Sequence, residues 1–346
     1  MGTTVSLQAL NATLNAPPMD LSALNILTSP VILFFVLGMI AAAARSDLAI
    51  PEPFAKVMSI YLMVAIGLKG GVAVASSGIG IEIATIIVAG GCLSFFIPFY
   101  VAAILRRFGK LDAVNAGAVA AHYGSVSVVT FVTAGEILAL QAMPIPGYMV
   151  AVLAVMETPA ILSGLLLARR GLSGDTRIAE AGHERGDLVR EVFLNASVVL
   201  LIGSFVIGII AGPDGFSEVK PLFDTGFKGV LCLFLLDMGL LAARRLRESR
   251  SLTWRLACLA IAFPLLNGTL GTVIGVALSL DAGTAAALGV LCASASYIAV
   301  PAAMRMALPQ ADPGIYLAMS LSITFPFNIL FGIGLIAWLA RALTGG

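Results

Sequence analysis

Residues 120–130 read Ala-Ala-His-Tyr-Gly-Ser-Val-Ser-Val-Val-Thr, and this stretch decides how the chain is interpreted. It lies inside an apolar segment, yet it carries a histidine, a tyrosine, a glycine, two serines and a threonine. Polar groups at membrane depth are tolerated where they face a protein interior or a water-filled cavity, and there they tend to be functional. We therefore expect the rest of the chain to hold this stretch against a matching one.

The composition predicts a membrane protein with several spans. Of the 346 residues, 59% are hydrophobic and 11% are charged, whereas a soluble domain is typically about 25% charged. Apolar runs of roughly 20 residues favour helices over barrel strands, which need about 10 alternating residues. The net charge of +1 suggests no nucleic-acid partner. The four cysteines lie in apolar segments without metal-ligand spacing, which indicates packing residues.

Ten spans are predicted, separated mostly by short connections rich in Gly, Pro or Asp. They cover residues 30–44, 54–75, 82–105, 112–135, 147–169, 191–211, 222–243, 253–279, 282–304 and 314–340. The only longer connection, 171–190, has five spans on each side. The predicted organisation is a lead over 1–25, a first five-helix repeat over 26–170, this connection, and a second repeat over 191–346.

Basic residues are unevenly distributed between the two sides of these spans. Sixteen of the 20 Lys and Arg residues fall on the side of the central connection, and only Lys69, Lys220, Lys228 and Arg341 fall on the other. Cytoplasmic loops carry an excess of Lys and Arg. The central connection is therefore predicted to be cytoplasmic, and both termini are predicted to be extracytoplasmic.

The two halves also resemble each other in sequence. Residues 111–113, Leu-Asp-Ala, recur at 280–282, and at the same offset Ser125 matches Ser294 and Ser127 matches Ser296. Because each half has an odd number of spans, the second copy must be inverted. Inverted repeats are typical of secondary transporters, whose sites lie near the midplane where the repeats meet.

The paired fourth and ninth spans supply the first candidate site. Its residues are Gly124, Ser125, Val126, Ser127, Ala293, Ser294, Ala295 and Ser296. If both spans break here, two helix N-termini meet at one place and favour an anion, while hydroxyls and freed carbonyls suit Na⁺. The alternative is that these small residues only let two helices pack closely.

A carboxylate in the fifth span is the second candidate. Glu157 precedes Thr158-Pro159, and an ionised side chain at the bilayer centre costs about 3 kcal/mol or more, so it should be paired or face a cavity. The tenth span offers Thr324 and Asn328 in the equivalent place. The Na⁺ candidates are therefore Ser127, Glu157, Ser294, Ser296 and Thr324, and a hydrogen-bonded structural carboxyl is the alternative for Glu157.

Other polar residues at membrane depth have weaker functional interpretations. Tyr123, Tyr297, Asp237 and Asn328 are candidates for gating or for tuning the cation site, although packing explains the tyrosines as well. His122 is interpreted as a packing residue, since a lone histidine makes no metal site. No nucleophile–base group, phosphate loop or metal signature is present, so neither an enzyme nor an organic cofactor is expected.

At these residues the chain resembles the sodium-dependent bicarbonate transporter family of the SbtA type. The resemblance rests on residues 66–71 (Ile-Gly-Leu-Lys-Gly-Gly), 124–127, 156–160 (Met-Glu-Thr-Pro-Ala), 293–296 and 301–305. It implies an all-α membrane protein of ten helices in two inverted repeats, with crossed, broken helices four and nine. In place of the family's usual residues, Tyr297 and Ile298 follow the ninth-span serines, Val128 follows the fourth-span serines, and Glu157 replaces an Asp.

The resemblance also implies an activity and partners. These are Na⁺-coupled import of bicarbonate across a bacterial inner membrane, a homotrimer embedded in lipid, and in some members a PII-like cytoplasmic regulator. Two alternatives remain open from the residues alone. One is a Na⁺-coupled symporter of a small organic carboxylate, and the other is a passive anion channel or a membrane sensor.

Overall fold

The computed structural model describes residues 28–77, 80–169, 196–249 and 251–345. Within these ranges every regular element is a helix and none is a strand, which confirms the all-α prediction. The predicted N-terminal lead, 1–25, and the predicted central connection, 171–190, lie outside the described residues.

Seven helices make up the first half of the described chain. They are α1 (Pro30–Ala43), α2 (Glu52–Ser77), α3 (Ile81–Ile104, continued by a π-helical turn, Leu105–Gly109), α4 (Ala113–Gly124), α5 (Val128–Leu140), α6 (Met149–Met156) and α7 (Pro159–Arg169). Predicted spans four and five thus each consist of two helices. Span four also runs to Leu140, five residues beyond its predicted end at 135.

The second half contains six helices. They are α8 (Ala196–Lys220, continued by a π-helical turn, Pro221–Thr225), α9 (Phe227–Glu248), α10 (Trp254–Ala277), α11 (Ala282–Ala293), α12 (Ala299–Ala307) and α13 (Pro313–Thr344). Helix α13 contains two π-helical stretches, Ala318–Thr324 and Asn328–Gly332. Predicted span nine accordingly consists of α11 and α12.

Seven helical segments of the described chain are long and apolar enough to cross a membrane. The longest, Val198–Glu248, has 51 residues and is interrupted at Gly212, where φ is 60° and Pro213 follows. That left-handed backbone suits glycine, which has no Cβ. Two shorter apolar helices, α1 and α11, accompany these segments, and together they support a membrane location.

Predicted spans four and nine are built alike. Helices α4 and α11 each have 12 residues and each begins with an aspartate whose side chain accepts N–H bonds from the first turn. Asp112 accepts from Asn115, and Asp281 accepts from Gly283 and Thr284. Each helix ends in extended backbone at a serine, Ser125 or Ser294.

Two pairs of long helices pack along each other through glycines. Helix α1 lies along α9, and α2 lies along α8. A Cβ at Gly38 would lie 2.1 Å from the carbonyl oxygen of Leu236, and one at Gly239 would lie 2.2 Å from that of Phe35. Only glycine allows backbones to approach so closely. Helices α1, α2, α8 and α9 therefore form one group.

The remaining helices form a second group around the interrupted spans. Helix α11 packs against α10 and α13, and α4 packs against α3 and α7. The segment Ala113–Leu140 is 78% buried over its apolar window, whereas Val198–Glu248 is 22% buried. The polar stretch that looked out of place in lipid thus lies at the centre of the protein.

Candidate functional site

The two interruptions contact each other directly through hydrogen bonds. The N–H of Ser296 donates to the carbonyl of His122 at 2.9 Å, and the N–H of Ser127 donates to the Ser294 hydroxyl at 3.0 Å. The Ser294 hydroxyl in turn donates to the carbonyl of Leu291 at 2.7 Å. Small side chains permit this close crossing, so each break is held in place by the other.

Serines also cap the helices that leave the two breaks. The hydroxyl of Ser127 accepts the N–H of Thr130 at 3.2 Å, and that of Ser296 accepts the N–H of Val300 at 3.3 Å. The first N–H groups of a helix have no partner within the helix, and the N-terminus carries partial positive charge. The starts of α5 and α12 therefore offer positive electrostatic potential at the crossing.

Two asparagines satisfy carbonyls at the C-terminal ends of α4 and α11. The Asn328 amide donates to the carbonyl of Ala293 at 2.8 Å, and the Asn267 amide donates to that of Tyr123 at 3.4 Å. The hydroxyl of Tyr100 holds Asn267 by bonding its amide oxygen. Each bond satisfies one of the carbonyls that the C-terminal end of a helix leaves without a partner within the helix.

A cavity of about 20 Å³ lies at the crossing. About 10–15 Å³ is enough for one water molecule, so the cavity has room for one water or one small ion. Its polar walls are Ser59, Ser127, Glu157, Ser296 and Tyr297. Apolar residues, among them Leu62, Val132 and Phe234, complete the walls and shield this polar group from lipid.

Glu157 is the charge-bearing residue of this cavity. The residue is 2% exposed, and its Oε2 atom has no hydrogen-bond partner among the described residues. The backbone carbonyl of Glu157 accepts the Ser125 hydroxyl at 3.1 Å, which ties it to the first break. A buried ionised carboxylate requires a compensating charge, and the carboxylate with the Ser127 and Ser296 hydroxyls fits a small cation that prefers oxygen ligands.

Comparison with protein families gives a match over nearly the whole described chain. The model of the Na⁺-dependent bicarbonate transporter superfamily matches residues 30–341. The chain belongs to this superfamily. No curated protein matches the chain. Membership confirms the resemblance noted in the sequence, and it identifies the chain as a membrane transporter and not an enzyme.

Only some of the site residues predicted from the sequence line the cavity in the folded transporter. Val126, Ser127, Glu157, Ser296 and Tyr297 line it. The other predicted substrate-binding residues are in or beside the two breaks without lining the cavity: Gly124, Ser125, Ala293, Ser294 and Ala295. The cation candidate Ser294 is engaged in the hydrogen bonds between the two breaks.

The other predicted positions of the transporter lie around this centre. The Thr324 hydroxyl donates to the carbonyl of Ala260 at 2.6 Å and contacts the Tyr123 hydroxyl at 2.7 Å. It is therefore engaged in the packing of α13 against α4 and α10. Asn328 caps α11, as described above. Asp237 is half-buried on α9 and does not line the cavity.

The side chain of His122 packs inside the transporter and does not contribute to the candidate ion site. Its ring is buried, lies 2.7 Å from the Ala118 carbonyl through Nδ1, and stacks on Tyr316 with ring centroids 4.5 Å apart. The side chain does not line the cavity. What reaches the crossing is its backbone carbonyl, which accepts from Ser296.

Sequence reasoning missed two residues that maintain the site, Ser94 and Asn267. The Ser94 hydroxyl donates to the carbonyl of Met156 at 2.7 Å and accepts the N–H of Ala160 at 3.2 Å. It thereby bridges the interruption that Pro159 creates beside Glu157. In the sequence, the feature that could have identified Ser94 and Asn267 was their polarity within apolar spans.

We expect Ser94→Ala to destabilise the transporter by about 1–3 kcal/mol, because it leaves a buried carbonyl and a buried N–H unpaired. Unfolding in mixed detergent micelles, followed by circular dichroism, measures the change. Ser76→Ala is the matched control, since the Ser76 hydroxyl is exposed and bonds only the Val72 carbonyl of its own helix at 3.0 Å. Equal stability of the two variants would contradict the bridging role of Ser94.

Proposed function

We propose that this chain imports bicarbonate together with Na⁺ by alternating access, with both ions bound between the two interrupted spans. The observation that carries the proposal is the buried Glu157 carboxylate, which lines a cavity between the starts of α5 and α12. This arrangement places one negative group beside two positive helix ends. It therefore suits a cation and an anion bound side by side.

The two ions have separate binding groups in this proposal. Na⁺ binds the Glu157 carboxylate and the hydroxyls of Ser127 and Ser296, all of which line the cavity. Bicarbonate binds the N-terminal N–H groups of α5 and α12, because helix N-termini favour anions. Without Na⁺, burial disfavours the ionised form of Glu157, whereas bound Na⁺ stabilises the carboxylate and places positive charge beside bicarbonate. That difference is the physical basis of the coupling.

The transport cycle requires the cavity to widen. At about 20 Å³ it holds about one water-sized group, so both ions together need more space. The distribution of basic residues supports a cytoplasmic position for the central connection. The bacterial inner membrane is a prediction that rests on the family resemblance.

We also propose that ten spans form two inverted five-helix repeats. The offset of 169 residues between the serine pairs also relates the starts and the ends of α4 and α11, which supports the repeat. The glycine contacts support it further. Gly38 and Gly239 join α1 to α9, while Gly208 lies against Leu68 and so joins α8 to α2. A homotrimer and a PII-like regulator are predictions that rest on the family resemblance.

The testing experiment is uptake of labelled bicarbonate by proteoliposomes with and without a Na⁺ gradient. We expect saturable uptake that needs inward Na⁺, since both ions share one site. Uptake indifferent to Na⁺ would contradict coupling, and non-saturating flux would indicate a channel. An excess of unlabelled acetate or lactate that abolishes uptake would favour an organic carboxylate as substrate.

We expect the double variant Ser127→Ala, Ser296→Ala to lower Na⁺-dependent uptake at least about tenfold. Each hydroxyl bound to a charged partner contributes about 1.5–3 kcal/mol, and 1.4 kcal/mol is a factor of ten. Ser163→Ala is the control, because the buried Ser163 hydroxyl bonds the Ala160 carbonyl of its own helix at 3.2 Å. Unchanged Na⁺ dependence in the double variant would remove both serines from the site.

A further inference from the structure

Helices α2 and α5 face each other across an open seam that leads away from the site. On α5 the residues that line cavities recur at helical spacing, from Val128 through Val132 and Gly135 to Ala139. On α2 the corresponding side chains begin at Ser59 and end at Ala73. Each set lies on one face of its helix, so the same two helix faces line both cavities.

The seam contains two cavities. The first is the small cavity at the crossing, and the second, which we call the vestibule, has a volume of about 380 Å³ and opens at the surface. The vestibule is lined by Lys69 and Ala73 of α2, by Gly135 and Glu136 of α5, and by the connection at 144–147. It is far larger than the cavity, so hydrated ions fit in it.

Among the residues that the structure describes, Val132 alone lines both cavities. Its side chain is 5% exposed, and the neighbouring wall residues are Leu62 and Met63 on the cavity side and Ile66 on the vestibule side. An apolar constriction of this kind excludes hydrated ions until it widens. The neighbours further out on α5, Gly135 and Ala139, are small.

The two charged residues that line the vestibule, Lys69 and Glu136, each form a salt bridge with a residue outside it. Lys69 binds Asp224 at 2.8 Å, and Lys228 binds Glu136 at 2.8 Å. The second pair joins α5 to α9, and a separate cavity of about 250 Å³ lies on its other side, also lined by Glu136 and Lys228. Glu136 of α5 therefore borders both the vestibule and this second cavity.

We propose that the vestibule is the extracytoplasmic access route to the ion site and that Val132 is the side chain that closes it. The proposal rests on the proposed function for the identity of the ions and the direction of transport. In it, small inorganic anions and Na⁺ collect in the vestibule and pass Val132 when α5 separates from α2. Val132 is a gating residue that binds neither ion.

Single cysteines test the route with a membrane-impermeant, negatively charged thiosulfonate reagent added outside sealed vesicles. Gly135→Cys reports the vestibule, since a Cβ there meets nothing within 4 Å, and Val128→Cys reports the inner cavity. The parent chain, with Cys92, Cys232, Cys258 and Cys292, is the blank. We expect Gly135→Cys to react at least about tenfold faster than Val128→Cys. Reaction of Gly135→Cys only from the cytoplasmic side would overturn the proposal.

The constriction is tested by combining Val128→Cys with Val132→Ala. We expect labelling of Val128→Cys to accelerate about tenfold, because the smaller side chain opens the path. An unchanged rate would overturn the role of Val132. If Val132→Ala does not fold, Gly135→Phe provides the opposite test. Its ring occupies part of the vestibule one helical turn outside Val132 and should slow Val128→Cys labelling.

The labelling results are independent of the transported substrate. If the parent chain shows no Na⁺-dependent bicarbonate uptake but the labelling pattern holds, the proposed function fails and the access route stands. If uptake is normal and neither Val132→Ala nor Gly135→Phe changes the labelling rate of Val128→Cys, the proposed access route alone is wrong.

Discussion

Replacing Glu157 by glutamine should raise the Na⁺ concentration for half-maximal uptake by about 10- to 100-fold. The change removes the carboxylate that we propose as a Na⁺ ligand of the cavity while preserving the shape of the side chain. A hydrogen bond or ligand contact to a charged group contributes about 1.5–3 kcal/mol, and each 1.4 kcal/mol is a factor of ten. Uptake measured over a Na⁺ titration gives the shift directly.

Thermal unfolding provides a second measurement that does not depend on transport. A ligand that binds only the folded state raises stability according to its concentration and affinity. Na⁺ should therefore stabilise the parent chain against heat, whereas K⁺ at the same ionic strength should not. Glu157→Gln should lose this stabilisation, and Glu157→Asp, which keeps the charge on a shorter side chain, should retain part of it.

Glu248→Gln is the matched control for Glu157. Its carboxylate is exposed at the end of α9 and lies 3.8 Å from Arg245, and Glu248 does not line the cavity. Exposed pairs of this kind contribute about 0–1 kcal/mol, so Na⁺ dependence should be unchanged. A Glu157→Gln variant with parental Na⁺ affinity and parental Na⁺ stabilisation would exclude the carboxylate as a ligand.

Replacing Gly124 by alanine should destabilise the folded protein by about 1–3 kcal/mol and reduce transport with it. A Cβ at this position would lie 2.4 Å from Cγ of Pro98, 2.6 Å from its Cδ, and 2.8 Å from the Ser94 carbonyl oxygen. A proline ring and a backbone carbonyl cannot rotate away, so the end of α4 must shift. Overpacking of a tight interior costs this amount.

Gly135→Ala in the next helix should stabilise the folded protein, in contrast to Gly124→Ala. No atom lies within 4 Å of a Cβ there, and Gly to Ala at a compatible position stabilises by about 0.4–1 kcal/mol through the unfolded chain. Unfolding of both variants in the same detergent mixture compares them. If both changes had the same sign, close packing against Pro98 would not explain why glycine occupies position 124.

The break at residues 125–127 was predictable because its signal is local. Gly124, Ser125 and Ser127 are poor choices for a lipid-facing helix, and the same pattern recurs at Ala293, Ser294 and Ser296. The ends of the helices were less predictable, as the five extra residues of α5 illustrate. Apolar residues continue through a helix end in a membrane protein, so hydropathy does not mark where the helix stops.

The individual roles of the polar residues were not predictable from their order in the chain. Ser127 and Ser294 are equally polar, yet the hydroxyl of Ser127 borders the cavity and that of Ser294 joins the two breaks. Ser94 and Asn267 contact residues 62 and 144 positions away. No local pattern encodes such distant partners.

By itself, the sequence therefore determined the membrane environment, the helical class, the breaks near Ser125 and Ser294 and the family, because hydropathy and backbone preference are properties of short segments. Only the tertiary structure decided that Glu157, Ser127 and Ser296 share one cavity and that Val132 separates this cavity from the vestibule. Those relations depend on how distant helices cross, and the crossing is set by side-chain packing over the whole molecule.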